Sequence, residues 1–181
     1  MKFNHSNIKS NRLVYENPYQ KTYQITATTP TQDKTYFVVD TGERAGIVAE
    51  KDNHILLVSQ YRFLINGISW EIPGGKVDEN ETPSQAAVRE CLEETGVLCH
   101  DIKNLIFYHP GLDTRYNPTH IFYSTNTDTS DISYIHEDEV SEHKWIPLNN
   151  CLDMIKTGVI SDSFTIIALL TYQSQHTQTH Q

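Results

Sequence analysis

Gly74-Gly75-Lys76-Val77-Asp78-Glu79-Asn80-Glu81-Thr82-Pro83-Ser84-Gln85-Ala86-Ala87-Val88-Arg89-Glu90-Cys91-Leu92-Glu93-Glu94-Thr95-Gly96-Val97 reads as a glycine turn, an acidic loop and a helix with both ends marked. Thr82 suits the N-cap, Pro83 the first helical position, and Gln85 completes a Thr-x-x-Gln capping box. Gly96 stands where a left-handed residue ends a helix. These signals predict a helix over residues 83–95. At 100° per residue, Glu90, Glu93 and Glu94 share roughly a third of its circumference, with Val88, Cys91, Leu92 and Thr95 opposite. Glu90/Glu94 and Glu90/Glu93 are like-charged neighbours, each unfavourable by about 0.2–0.5 kcal/mol. Arg89 can offset Glu93 at i,i+4, and no lysine is interleaved to neutralise the rest. A lone E-x-x-E-E would be read as a solvated face. Here the same helix follows a Gly-Gly turn and a further acid, Glu81. Hard oxygen ligands gathered at a tight backbone turn are what Mg²⁺ or Mn²⁺ requires, so the stretch predicts a metal site.

The spacing Gly75-x5-Glu81-x7-Arg89-Glu90-Cys91-x-Glu93-Glu94-x-Gly96-Val97 resembles the Nudix box, G-x5-E-x7-R-E-U-x-E-E-x-G-U. Cys91 stands where a larger aliphatic residue is usual. The resemblance implies an α/β Nudix fold: a mixed β-sheet sandwiched between helices (α/β/α), here with additional N-terminal antiparallel strands. It also implies metal-dependent hydrolysis of a nucleoside diphosphate linked to another moiety. In that reading Glu90 and Glu94, with the Gly74 carbonyl, hold Mg²⁺, Mn²⁺ being the other expected ion. Glu93 supports that shell, and Arg89 orients the helix acids.

Two flanking features resemble the ADP-ribose pyrophosphatase branch of the family. Gln60-Tyr61-Arg62 followed by Glu71-Ile72-Pro73-Gly74-Gly75-Lys76 is similar to Q-Y-R and then E-(L/I)-P-A-G-K, which implies that Arg62 and Glu71 lie at the substrate site. Pro110-Gly111 resembles the branch's proline after the box. That branch often continues with an acid where this chain has Thr114-Arg115-Tyr116. Arg115 is thereby a candidate phosphate contact and Tyr116 a candidate cover for a base or sugar, with an exposed turn arginine as the plainer reading. In similar enzymes a loop glutamate reaches over the metals and deprotonates water. Glu139 is the first choice for that role and Glu137 the second, although the acid run alone reads as solvated loop. The branch also implies a homodimer whose N-terminal strands help bind the adenine, with Tyr19, Tyr23 and Tyr36 as stacking candidates. Three readings of function stay open: ADP-ribose hydrolysis to AMP and ribose 5-phosphate; the same chemistry on a nucleotide sugar, dinucleotide or oxidised nucleoside triphosphate; or a nucleotide-sensing module that does not cleave.

The rest of the chain bounds these readings. Its 181 residues suit one domain over residues 12–173, with N-terminal strands at 12–44, the box at 75–97, a flexible start at 1–11 and a flexible tail at 174–181. Hydrophobic residues make up 38% and form no run long enough to span a membrane, and the first residues lack a signal peptide's apolar core. A net charge of −9 opposes bulk binding to nucleic acid. Cys91, Cys99 and Cys151 follow no disulfide or zinc spacing, which favours a cytoplasmic setting. The nine histidines are scattered and read as surface residues. Alternation predicts hairpins from 22–27 with 34–40 and from 45–49 with 55–59. Trp70 and Ile72 are expected to face one way and Ser69 and Glu71 the other. Further strands are expected at 102–108 and 119–124, a polar loop at 125–133, and helices at 149–157 and 161–173.

Overall fold

The computed structural model describes residues 3, 5–129 and 140–176. In chain order its elements are β1 (Ile8–Glu16), β2 (Lys21–Thr28), β3 (Asp33–Asp40), β4 (Arg44–Lys51), β5 (His54–Arg62), β6 (Gly67–Glu71), β7 (Gly74–Lys76) and α1 (Pro83–Thr95). There follow β8 (Val97–His100), β9 (Lys103–Tyr108), β10 (Arg115–Tyr116), β11 (Thr119–Ser124), β12 (Asn126–Thr129), β13 (Val140–Pro147), α2 (Leu148–Lys156) and α3 (Ser163–His176). They divide into two compact units, Met1–Glu43 with Tyr108–Thr119 and Arg44–Phe107 with His120–Gln181, where the sequence reads as one domain.

The first unit is a four-stranded sheet in the order β1-β2-β3-β10. The 22–27 and 34–40 hairpin is present as β2 and β3, antiparallel from Lys21↔Asp40 to Thr28↔Asp33. β1 pairs antiparallel with β2 from Ile8 onward, so a strand begins inside the stretch expected to be flexible. Phe3 explains part of this: its ring packs edge-on to Tyr23 and Tyr116, at 5.4 and 5.0 Å between centroids, and is buried.

The second unit is built on a sheet in the order β13-β5-β4-β11-β9, with β6 added to β5 and β7 to β4. The turn between β4 and β5 uses Asp52 and Asn53, both at positive φ (51° and 60°), a conformation to which short polar side chains are suited. β4 is buried on both faces, which is why its sequence runs Ala45-Gly46-Ile47-Val48-Ala49 without a polar interruption. Ala45, Ile47 and Ala49 share a core with Leu56, Phe122 and the α1 residues Ala86, Ala87 and Cys91. Gly46 faces the other way, where a Cβ would fall on the Phe164 ring of α3. Helices therefore cover both faces, the expected α/β/α arrangement.

α1 has the predicted ends. Thr82 Oγ1 accepts the Gln85 N–H at 3.3 Å, the Gln85 side chain accepts the Thr82 N–H at 2.8 Å, and Gly96 caps the far end at φ 69°. Three expectations shift, and β6 settles a point that alternation alone leaves open. β12 forms inside the predicted 125–133 loop by pairing with β8. α3 continues to His176, into the expected tail. The polar side of β6 is the buried one, with Ser69 and Glu71 inside and Trp70 half-buried. On α1, Glu94 is buried alongside Ala86, Ala87, Cys91 and Thr95, while Val88 and Leu92 are only half-buried. Adding the missing methyl by Gly46→Ala is expected to destabilise the protein by about 1–3 kcal/mol through overpacking, read from urea denaturation. In a Phe164→Leu background the penalty should shrink; equal penalties would show that the ring is not what the glycine accommodates.

Candidate active site

The glycine turn brings backbone against two carboxylates. Gly74 and Gly75 of β7 lie opposite Gly46 and Ala45 of β4, and a Cβ on Gly75 would fall on the Glu90 carboxylate. One turn further along α1, Glu94 Oε2 accepts the Gly74 N–H at 3.0 Å and Oε1 accepts Gln60 Nε2 at 2.8 Å. Burial pushes the Glu94 carboxyl up to about 8; the Gly74 hydrogen bond opposes this, and repulsion from Glu90 adds to it. Burial likewise raises Glu90, against the lowering effect of Arg89.

Arg89 is the hub of the remaining acids. It donates Nε and Nη2 to the two oxygens of Glu81, at 3.1 and 2.8 Å, and Nη1 to Glu93 at 2.9 Å. Nη1 also stands 3.0 Å from Glu90 Oε1, and Nη2 donates to the Lys76 carbonyl at 3.2 Å. The Glu81 bond is the largest cause of a raised Arg89 pKa, and the same bond holds Glu81 below the ordinary carboxylate value. Glu81 also accepts the Asp78 N–H at 2.8 Å, which ties the acidic loop to the helix. Among the described residues no three acids, histidines or cysteines converge as a ready-made cation cage. The donor chemistry nevertheless fits a hard divalent ion. Four carboxylates (Glu81, Glu90, Glu93, Glu94) lie along the loop and helix, one guanidinium meets the first three, and the two that burial disfavours as anions are one helical turn apart on the glycine turn.

A second charge cluster lies on β5 and β6. Arg62 donates Nε and Nη2 to Glu71 at 2.8 and 2.7 Å, a bidentate pair on a buried carboxylate rather than a surface contact. Burial is the largest influence and works to raise the Glu71 pKa, but the Arg62 bonds and charge, joined by Ser69 and Arg44, together leave it lowered. The Arg44 guanidinium is 3.8 Å from the same carboxylate. Arg62 and Arg44 are both within electrostatic reach of Glu94.

The structure thus gathers Gly74, Arg89, Glu90, Glu93 and Glu94, and pairs Arg62 with Glu71. Arg115 belongs to the first unit, on β10 beside Val39 of β3, and is exposed. Of the aromatic candidates there, Tyr23 packs on Phe3, Lys34 lies over Tyr36, and Tyr19 is exposed. Glu137 and Glu139 fall outside the described residues. Sequence reasoning missed Gln60 and Arg44. A glutamine ending the apolar run of β5 was a usable signal for the first; nothing marks Arg44, which starts a strand beside another charged residue.

The raised carboxyls set a pH dependence. Between the ordinary value of 4.5 and about 8, folded Glu94 binds more proton than unfolded Glu94, so stability declines as pH rises through that window. Glu90 acts in the same direction. Glu71 and Glu81, both lowered, contribute stability that is present above the ordinary carboxylate value and lost as pH falls through their own. With chelator present, the melting temperature is expected to fall from pH 5 to pH 8 and to fall less in Glu94→Gln. Identical slopes for the two proteins would contradict the assignment.

The NUDIX domain profile matches residues 40–165 of this chain. The chain is 31% identical over 135 residues to the CMP-5'-(N-acetyl-N-hydroxy-3-aminopropyl)phosphonate hydrolase of Streptomyces rubellomurinus, covering 75% of this chain and 65% of that protein. It is 24% identical over 137 residues to the ADP-ribose pyrophosphatase of Bacillus subtilis, covering 75% and 74%. The crystal structure of an ADP compounds hydrolase shares the fold, with a TM-score of 0.82 at 16% identity over 96% of this chain and 95% of the other. With the box helix, its glycine turn and its acids in place, this chain belongs to the Nudix family of pyrophosphohydrolases.

Proposed function

We propose that the protein hydrolyses the pyrophosphate bond of ADP-ribose, giving AMP and ribose 5-phosphate, with Mg²⁺ as its ion and Mn²⁺ as a substitute. The observation that carries this reading is the pair Glu90, half-buried, and Glu94, buried, two carboxylates of raised pKa seated on the Gly74-Gly75 turn. A bound divalent ion would offset phosphate charge and make water a better nucleophile. Glu90, Glu94 and the Gly74 carbonyl would hold it. Gln60 and the Gly74 N–H fix the Glu94 carboxylate in orientation. Arg89 holds Glu93 and Glu90 on one side of the helix while anchoring the loop through Glu81. Glu71 occupies Nε and Nη2 of Arg62, which leaves Nη1 to meet a substrate phosphate. Arg115 is a further phosphate contact. Glu139, or else Glu137, takes the proton from the attacking water as the phosphorus–oxygen bond to the leaving phosphate breaks.

The Gln60-Tyr61-Arg62 and Pro110-Gly111 features and the Bacillus subtilis relative support ADP-ribose. The same bond cleavage on another nucleotide derivative is the second reading, favoured by the 31% identity to a hydrolase whose name carries CMP joined to a phosphonate. A homodimer belongs to the proposal, supported by the exposed apolar residues Leu13, Val14, Tyr15 and Phe37 of the first unit. The free thiols of Cys91 and Cys99, 3.7 Å apart in the core, suit a reducing cytoplasm.

Phosphatase-coupled phosphate release with Mg²⁺, over ADP-ribose, nucleotide sugars, dinucleotides and nucleoside triphosphates, is expected to favour ADP-ribose. Glu94→Gln should lower the rate by a factor of about 100 or more and remain folded. Preference for a CMP derivative would select the second reading, and a near-normal rate for Glu94→Gln would remove the metal assignment. Light scattering of the same preparation should give a dimer at micromolar concentration; a monomer would strike that part of the proposal.

A further inference from the structure

We propose that Arg44 is a second arginine ligand for the substrate's diphosphate, presented by a stack on Phe164 at the edge of the glycine turn. The inference rests on the nucleoside diphosphate reading above and adds to it a residue that determines phosphate affinity.

Arg44 and Arg62 share the buried carboxylate of Glu71, with Asp162 and Glu94 within longer electrostatic reach of Arg62. Arg62 already satisfies Glu71, with one N–H on each oxygen. Arg44 approaches Oε2 only to 3.8 Å, beyond hydrogen-bond distance. Charge balance for Glu71 therefore does not account for the second arginine.

Geometry gives the next step. The Arg44 guanidinium lies over the Phe164 ring, 3.8 Å from its centroid, in a cation–π stack. That ring is itself fixed, because it fills the space that side chains on Gly46 and Gly74 would occupy. Arg44 and Gly46 are two apart on β4 and so face the same side, the side of α3. Stacking and attraction to Glu71 thus hold the guanidinium in place without using its five N–H donors, none of which makes a hydrogen bond to a described residue. The side chain is 27% exposed, so those donors are reachable.

Location completes it. Arg44 opens β4 opposite Lys76 of β7, two residues from the Gly46↔Gly74 pair, and its charge is felt by Glu94. An immobilised, planar cation with spare donors beside the metal acids matches the oxygens of a phosphate in a way that a flexible lysine does not.

The test uses Arg44→Gln and Arg44→Lys in the full chain. Calorimetric titration with ADP in Mg²⁺, and separately with inorganic pyrophosphate, is read beside ADP-ribose kinetics, Mn²⁺ affinity and melting temperature. Arg44→Gln is expected to weaken both phosphate probes about 10- to 100-fold and to raise KM for ADP-ribose with a smaller change in kcat. Mn²⁺ affinity and melting temperature should match the wild type, and Arg44→Lys should recover part of the loss. Should Arg44→Gln fail to fold, Arg44→Lys carries the test, with a loss of several-fold expected for both probes. Unchanged phosphate affinity in a wild type that cleaves ADP-ribose would overturn the Arg44 assignment and leave the proposed function standing. An equal loss of Mn²⁺ affinity would overturn it as well, by showing a structural effect on the site. A wild type that neither binds ADP nor cleaves any nucleoside diphosphate derivative would sink the proposed function, and this inference with it.

Discussion

Glu94 sits in the last turn of α1 among Ala86, Ala87, Cys91 and Thr95, where burial lifts its carboxyl to about 8. A carboxylate placed there is costly as an anion unless something compensates it. The chain supplies two donors, the Gly74 N–H and Gln60, and among the described residues no cation in hydrogen-bond contact. Most of the second unit follows from this placement. β4 and β7 must approach closely enough to set Gly74 beside the helix, so both positions are glycine or small. The buried run of β5 must close on Gln60 so that a polar side chain points inward. Glu90, one turn earlier, lies against Gly75 and is raised by burial even with Arg89 Nη1 at 3.0 Å, so under the proposed function a divalent ion would compensate both carboxylates.

Arg89 resolves a different conflict. Four acids along one loop and helix repel one another, and a single guanidinium with five donors spans three of them while also bonding the Lys76 carbonyl. Its bonds are directed toward Glu81 and Glu93 and leave Glu94 alone. The loop from the glycine turn to Thr82 is thereby tied to the helix it precedes, and the deficit of positive charge stays at the Glu90–Glu94 end. The Arg62–Glu71–Arg44 cluster sets two guanidinium groups on one buried carboxylate. Under the proposed function, acids that would hold a metal stand near cations that would meet phosphate, the electrostatic arrangement a metal–diphosphate substrate needs.

Much of this was legible in the residues. The helix limits followed from Thr82, Gln85 and Gly96 because caps are local chemistry, and the hairpins followed from alternation and turn residues. The acids that meet at the glycine turn were legible through the box spacing. Tertiary facts were not. The helical wheel put Glu94 on the polar side because a wheel weighs residue type, whereas burial is decided by what packs there, here β4 and the glycine turn. Alternation in β6 separates Trp70 from Ser69 and Glu71 without saying which side is inside; Glu71 is inside, where Arg62 and Arg44 meet it. β12 and the start of β1 looked like polar loop because their strand character comes from pairing with β8 and β2 rather than from composition. Arg44 was invisible, since its role depends on Phe164, 120 residues away.

Under the proposed function, Glu94 stays protonated until a divalent ion replaces its proton. Calorimetry of Mg²⁺ binding at pH 7, in buffers of different ionisation enthalpy, measures that exchange directly. With the Glu94 carboxyl at about 8, binding should release about one proton per site, and Glu94→Gln should release far less. A binding enthalpy independent of the buffer would contradict the account.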